Sequence, residues 1–327
     1  MNSIMDRSST DRLRRAPASG TCRSPQPRRL TEMGNRPEVV LRLGAPWASK
    51  VLAGWLASLD AEQVLVDPYG VWMDADRTAA AVVACDPTIL CLALAKAGVT
   101  SVDRGWLEGW RAAEAAAQRA VDDVLGAHEE PTEPGVARTV VASLPAGASL
   151  VTSSSMPVRD VEWYGAPRDG LRVHANRGAN GIDGVVSTAL GVALAGPSRP
   201  TAALVGDVAF LHDQGALVGA VDAGAPCTLV VVDNDGGGIF SFLPLADALP
   251  AARFEQLFGT PHGADLAAIA RAHRVPVSQP GTAAEVGPAV VEAVAAGGVR
   301  MVHVRTDRAA NVRVHDELHE AVVASLP

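Results

Sequence analysis

The sequence is short of aromatic residues, at 4%, and contains only two lysines, Lys50 and Lys96, among 28 basic residues. With so few rings, the core has to be built from Ala, Val and Leu, and a hydrophobic content of 48% is ample for that. The missing lysines are made up by arginine, a bias that reads as genome base composition. No stretch reaches roughly eighteen consecutive apolar residues, which excludes a conventional membrane-spanning helix. Cysteine is scarce: Cys22, Cys85, Cys91 and Cys227 show no paired-ligand spacing. They read as reduced core residues of a cytoplasmic protein, not as a zinc site or a disulfide framework. Basic charge is also in deficit, since the net charge is −8, and this argues against a nucleic-acid binder. A chain of 327 residues suffices for one large or two ordinary domains.

The pattern changes along the chain. Residues 1–37 carry eight arginines among Ser, Thr and Pro, with almost no aliphatic periodicity. Such a segment cannot bury enough surface to fold. It reads as a disordered or spurious leader; Asp6, Asp11 and Glu32 speak against a transit peptide, and Met33 precedes the globular pattern. Residues 38–125 read as part of a middle α/β domain that starts partway through, with strands over 39–44 and 63–67 and helices over 49–59, 88–95 and 106–125. A polar, Pro-containing linker is expected over 126–137. From 138 to 327, strands near 149–154, 201–206, 228–233 and 299–305 alternate with helices near 182–195, 213–223, 264–273, 283–296 and 315–325. That alternation predicts an α/β fold with a doubly wound parallel sheet.

The chemistry gathers between Gly206 and Phe240. An apolar run from Ala202 to Val205 feeds Gly206-Asp207, and a second strand over 228–232 feeds Asp233-Asn234-Asp235-Gly236-Gly237-Gly238. Ligands collect at the carboxyl ends of strands in such sheets. Mg²⁺ takes oxygen ligands, usually one or two carboxylates plus phosphate oxygens. Asp207 offers a carboxylate, Asn234 an amide oxygen, and Gly236 a backbone carbonyl that glycine can turn inward. A helix starting after Asp207 would present free N–H groups to a diphosphate. Either dipeptide alone is an ordinary turn; together, each after a buried strand, they form a pattern. That pattern resembles the fingerprint of the thiamin diphosphate (ThDP) enzymes, with Asp233 where the first of two asparagines usually stands.

Two further stretches narrow the resemblance. They are Ser155-Met156-Pro157-Val158-Arg159 and Asn176-Arg177-Gly178-Ala179-Asn180-Gly181-Ile182-Asp183-Gly184. By chemistry alone, Arg159 and Arg177 could fork onto carboxylates or simply make surface ion pairs. With the run from Asp233 to Pro244, these stretches are very similar to the 2-succinyl-5-enolpyruvyl-6-hydroxy-3-cyclohexene-1-carboxylate (SEPHCHC) synthase family of menaquinone biosynthesis. The resemblance covers roughly residues 38–327.

It implies decarboxylation of 2-oxoglutarate and addition of the resulting enamine to isochorismate, with ThDP and Mg²⁺, or Mn²⁺ in its place, as cofactors. It assigns Arg159, Arg177 and Ser155 to the substrate carboxylates. Asp207, Asn234 and Gly236 would hold the metal, beside Gly206. Ile182 would bend the cofactor, and Ile239, Phe240 and Leu243 would wall the pocket. It also implies that the pyrimidine-binding domain, with the glutamate that activates the cofactor, is not in this chain. The active chain is then expected as a cytoplasmic homo-oligomer, with a separate pyrimidine-domain chain as a further partner. The alternative is a catalytically silent ThDP-binding fragment or one half of a split enzyme.

Other features point elsewhere and are set aside. No strand is followed by Gly-x-Gly-x-x-Gly, which a nicotinamide dehydrogenase would need. His315 and His319 lie at i, i+4, but Asp316 stands where a zinc protease needs Glu, so they read as a solvated helix end. His174 is expected to make a structural hydrogen bond, and His212 is not expected to take part in the site.

Overall fold

The computed structural model describes residues 37–45, 50–98, 104–176, 178–179 and 181–326. The leader expected over 1–37 lies almost wholly outside the described residues. Three strands, β1 (Val39–Leu43), β2 (Glu62–Val66) and β3 (Ala79–Val83), form a parallel sheet in that order. Helix α1 (Lys50–Ala57) crosses from β1 to β2. Helices α2 (Pro87–Ala97) and α3 (Arg104–Gly126) follow. Leu65 and Val66 of β2 are buried, whereas Val39, Leu41 and Leu43 stand exposed on β1. Helix α2 begins at Asp86, whose carboxylate accepts from the N–H groups of Thr88 and Ile89, and among its residues none is buried.

The linker expected up to 137 stops sooner. Thr132 accepts from the Gly135 N–H at 3.1 Å and caps α4 (Glu133–Ser143), with Pro134 in the first turn, where its missing N–H leaves no bond unmade. Glu133, Val136 and Ala137 are buried there.

The second sheet contains β4 (Ser149–Thr152), β5 (Arg172–Ala175), β6 (Thr201–Gly206), β7 (Cys227–Asp233), β8 (Val277–Ser278) and β9 (Arg300–Arg305). All pairs are parallel, in the spatial order β5-β4-β6-β7-β9-β8. Helices α5 (Met156–Tyr164), α6 (Val185–Ala195), α7 (Asp207–Asp213), α8 (Leu266–Ala272), α9 (Ala283–Ala296) and α10 (Arg308–Ser325) complete it. The two faces of the sheet separate residue by residue. Val151, Ala203, Val205, Leu229, Val231 and Met301 pack against α6 and α8. Leu150, Ala202, Leu204, Val230, Val232 and Val302 pack against α4 and α9. Each fully buried Val or Leu contributes about 1.5–3 kcal/mol, so both faces must be covered for the sheet to persist. This is the doubly wound parallel sheet that the alternation predicts.

Several expectations need correction. The helix near 213–223 is instead α7, followed by a 3₁₀ turn over Gln214–Leu217. Gly219 and Gly224, with φ of 76° and 66°, follow it in the turns that lead to β7. Helix α10 starts seven residues before 315, at Arg308, because the Asp307 carboxylate accepts from the Ala310 N–H at 2.7 Å. Strands β5 and β8 are edge strands, too short and polar to read from periodicity.

His315 and His319 are buried, not solvated. His315 bonds Asp160 through Nε2 at 2.7 Å, and His319 meets the Tyr164 hydroxyl at 3.1 Å. They sit where α3 and α5 pack on α10 around Val121, Leu318 and Val322. Of the described cysteines, all free thiols, Cys227 is buried, Cys85 is half-buried and Cys91 is exposed, so only the first is a core residue.

Candidate functional site

Strands β6 and β7 are adjacent, with Gly206 opposite Val232. Their next residues therefore leave the sheet side by side, which brings Asp207 beside Asp233 and Asn234. Asp207 is buried, and its Oδ2 accepts from the N–H groups of Asn234 at 3.1 Å and Gly236 at 2.9 Å. Its Oδ1 accepts from the Val208 N–H at 2.6 Å. Burial pushes this carboxyl up from its ordinary value, and the N–H groups of Gly236 and Val208 act against that push.

Asn234 places its amide between two surroundings. Its Nδ2 donates to Glu133 Oε1 at 2.6 Å, while its Oδ1 is buried with no hydrogen-bond partner. Burial, with the neighbouring Asp160 adding to it, raises the Glu133 carboxyl to about 7. Gly236 has φ of 142°, and a Cβ there would collide with the Gly259 carbonyl oxygen. Only glycine fits that turn.

Asp207, Asp233 and His262 present ligand atoms within 4.8 Å of one another. The His262 ring is nevertheless engaged as a donor. Its Nδ1 accepts from the Ala264 N–H at 3.0 Å, so the neutral ring carries its hydrogen on Nε2, which faces Asp207 Oδ2 at 3.2 Å. Asp233 turns the other way and meets His303 Nε2 at 2.7 Å. Burial pushes its carboxyl up, but the His303 and Asp235 hydrogen bonds prevail and hold it below the usual value. What remains for a cation is oxygen: the Asp207 carboxylate and the unpartnered Asn234 Oδ1. That donor set fits a hard divalent ion.

The facing wall comes from the β4–α5 turn. Ser155 adopts φ of 77°, a left-handed conformation that costs a non-glycine residue of order 1–3 kcal/mol and is concentrated at functional sites. Its carbonyl accepts from Arg159 Nη1 at 2.6 Å, which folds the guanidinium back over the turn.

A cleft of about 530 Å³ brings together Ser155, Arg159, Ile182, Gly206, Asp207, Asn234, Gly236, Ile239 and Phe240. Leu243, expected as a wall, is 42% exposed and does not line it. Arg177 lies outside the described residues, as does the side chain of Lys50. His212 is exposed, and His174 Nε2 is buried without the hydrogen bond expected of it. The sequence reading missed Glu133 and His262, which reach the site from 101 and 55 residues away. Thr132-Glu133-Pro134 did hold a signal, a capping residue followed by Pro in the first turn.

Residues 159–304 match the family described as thiamine pyrophosphate enzyme, C-terminal TPP binding domain. The chain is 45% identical over 296 residues to a SEPHCHC synthase of Myxococcus xanthus, covering 89% of this chain and 49% of that protein. It is 41% identical to one of Halobacterium salinarum, over 88% of this chain and 48% of the relative. It is 36% identical to one of Bacillus velezensis, over 88% and 50%. The chain spans about half the length of these relatives. Over that half the chain is similar to the SEPHCHC synthases, and the α/β fold of residues 159–304 matches the thiamine pyrophosphate enzyme C-terminal domain.

Proposed function

We propose that the chain is the ThDP- and Mg²⁺-binding half of a SEPHCHC synthase, acting on 2-oxoglutarate and isochorismate. The observation that carries this reading is the pair Asp207 and Asn234 at adjacent strand ends, with a buried, unpartnered Asn234 Oδ1. Asp207, Asn234 and the Gly236 backbone would hold the cation, and through it the diphosphate. When bound, ThDP supplies an electron sink that lets 2-oxoglutarate lose CO₂ and the remainder add to isochorismate. The chain's own residues bind and orient. Arg159 and Arg177 are assigned to substrate carboxylates with Ser155 beside them, Ile182 to the bend of the cofactor, and Ile239 and Phe240 to an apolar wall that excludes water. Mn²⁺ would substitute for Mg²⁺ on the same oxygens.

The middle domain over 38–125, the linker region and the domain over 138–327 are offered as the organisation of this half. The cytoplasm is its proposed location, and no described helix is long and apolar enough to cross a membrane. The pyrimidine-binding half, with its activating glutamate, would come from a further segment or chain, and the assembly would be a homo-oligomer. The second reading is a ThDP-binding subunit without turnover; the match to the relatives extends over about half of their length.

The test is CO₂ release from 2-oxoglutarate together with isochorismate consumption, with ThDP and Mg²⁺ present. It is run on the chain alone and with a pyrimidine domain added. Turnover only with the added domain is expected. Cofactor binding without turnover in both arms would favour the second reading, and no ThDP binding at all would sink both.

A further inference from the structure

A primary amide has two faces of nearly equal shape, and only its oxygen ligates a hard cation. Asn234 could present either face to the metal position, so something else must choose. The structure supplies the choice on the opposite side. Glu133 Oε1 stands 2.6 Å from Asn234 Nδ2, and a carboxyl oxygen that carries no proton, which the ionised and the neutral group both possess, accepts a hydrogen bond without donating one. It therefore selects the NH₂ face, and Oδ1 is left pointing away, buried and unmatched. Gly238 leaves room for this arrangement, since a Cβ there would press on the same Nδ2 at 2.6 Å. Glu133 is itself fixed independently of the loop it touches. It is buried in the first turn of α4, whose cap Thr132 takes the Gly135 N–H.

We infer that Glu133 is a positioning residue: by accepting from Asn234 Nδ2 it locks the amide with its oxygen toward the cation. The inference rests on the reading that this cleft takes a divalent cation with ThDP. Partners of this kind, standing behind a metal ligand, typically govern metal affinity by 10–100-fold.

The probe is Mn²⁺ binding to the full chain in the presence of ThDP, followed by electron paramagnetic resonance, with melting of each metal-free variant as a fold control. Glu133→Leu should weaken Mn²⁺ binding by about 10–100-fold. Glu133→Gln, whose carbonyl can still accept, should stay near wild type. In an Asn234→Asp background the two side-chain oxygens are alike and orientation no longer matters. There, Glu133→Leu should cost nothing further, or should tighten binding by removing a like charge. Glu133→Met carries the same expectations if Glu133→Leu does not fold. Equal losses in both backgrounds would mark Glu133 as merely structural, and an unchanged Glu133→Leu would overturn the positioning role. A wild-type chain that binds no Mn²⁺ with ThDP would overturn the cofactor reading itself, and the role with it.

Discussion

At Gly236 two constraints meet: a φ of 142° and the Gly259 carbonyl directly where a Cβ would lie. Gly237 adds to the contact by donating to the same carbonyl at 2.8 Å. Gly236→Ala should therefore displace the loop that places Asn234. We expect a loss of about 2–4 kcal/mol in denaturant unfolding, together with loss of Mg²⁺-dependent ThDP binding. A variant that unfolds at the wild-type midpoint would refute the packing argument. That Asp207, Asn234 and Gly236 come together was legible in the sequence, because each lies at or just past a strand end, so local pattern sufficed. Glu133 and His262 were not, because their part depends on contacts made only after the sheet has closed. His315 and His319 misled for a related reason: polar residues buried in pairs look solvated when only their own segment is read.

Among the elements, those with strong apolar runs were the readable ones, namely β6, β7, β9 and α9. Boundaries failed where a side-chain cap, not periodicity, sets the end. Thr132 starts α4 inside what looked like a linker, and Asp307 starts α10 a full two turns early. Removing the second cap by Asp307→Ala should cost about 1 kcal/mol. In a domain of this size that is a fall of about 2–4 °C in melting temperature, with ThDP binding retained. A larger fall would mean that Asp307 does more than cap. The opposite error, a helix expected over 213–223, came from apolar content that continued past glycines able to take positive φ. The apolar run in α2 likewise predicted a helix correctly but not its surroundings, since its apolar residues remain exposed.

On the scale of the molecule, alternating strand and helix patterns sufficed for the doubly wound sheet, because both of its faces must be buried. They could not show how α3 is tied to the second sheet. That tie runs through α10, and one of its members is sensitive to acid. Burial first, and the nearby His315 second, hold His319 below its ordinary value of 6.5, with Asp316 acting the other way. A histidine depressed in this way is neutral in the fold, so the unfolded chain takes up the proton first. Stability is then lost as pH falls below 6.5 toward the folded value. His315, raised against the downward push of its burial by Asp160, works in the opposite sense, stabilising below 6.5 and losing that contribution as pH rises through its folded value. His319→Gln should therefore gain on the wild type as melting is measured at progressively lower pH. A difference in melting temperature that does not change with pH would exclude His319 as an acid-sensitive member of the tie.

The register of Gly206 against Val232 has a further consequence. Neighbouring strands lie about 4.8 Å apart, a spacing set by backbone hydrogen bonds and not by side chains. The bite offered to a cation by Asp207 and Asn234 is thus measured by the sheet, as by a ruler. Beyond Val208, whose N–H holds Asp207 Oδ1, the crossover to Pro226 carries Val218, 74% exposed, on an outer turn that has no part in that measurement. Evolution or an engineer could lengthen, shorten or rewrite its outer turn, and the distance between the two ligands would be inherited unchanged.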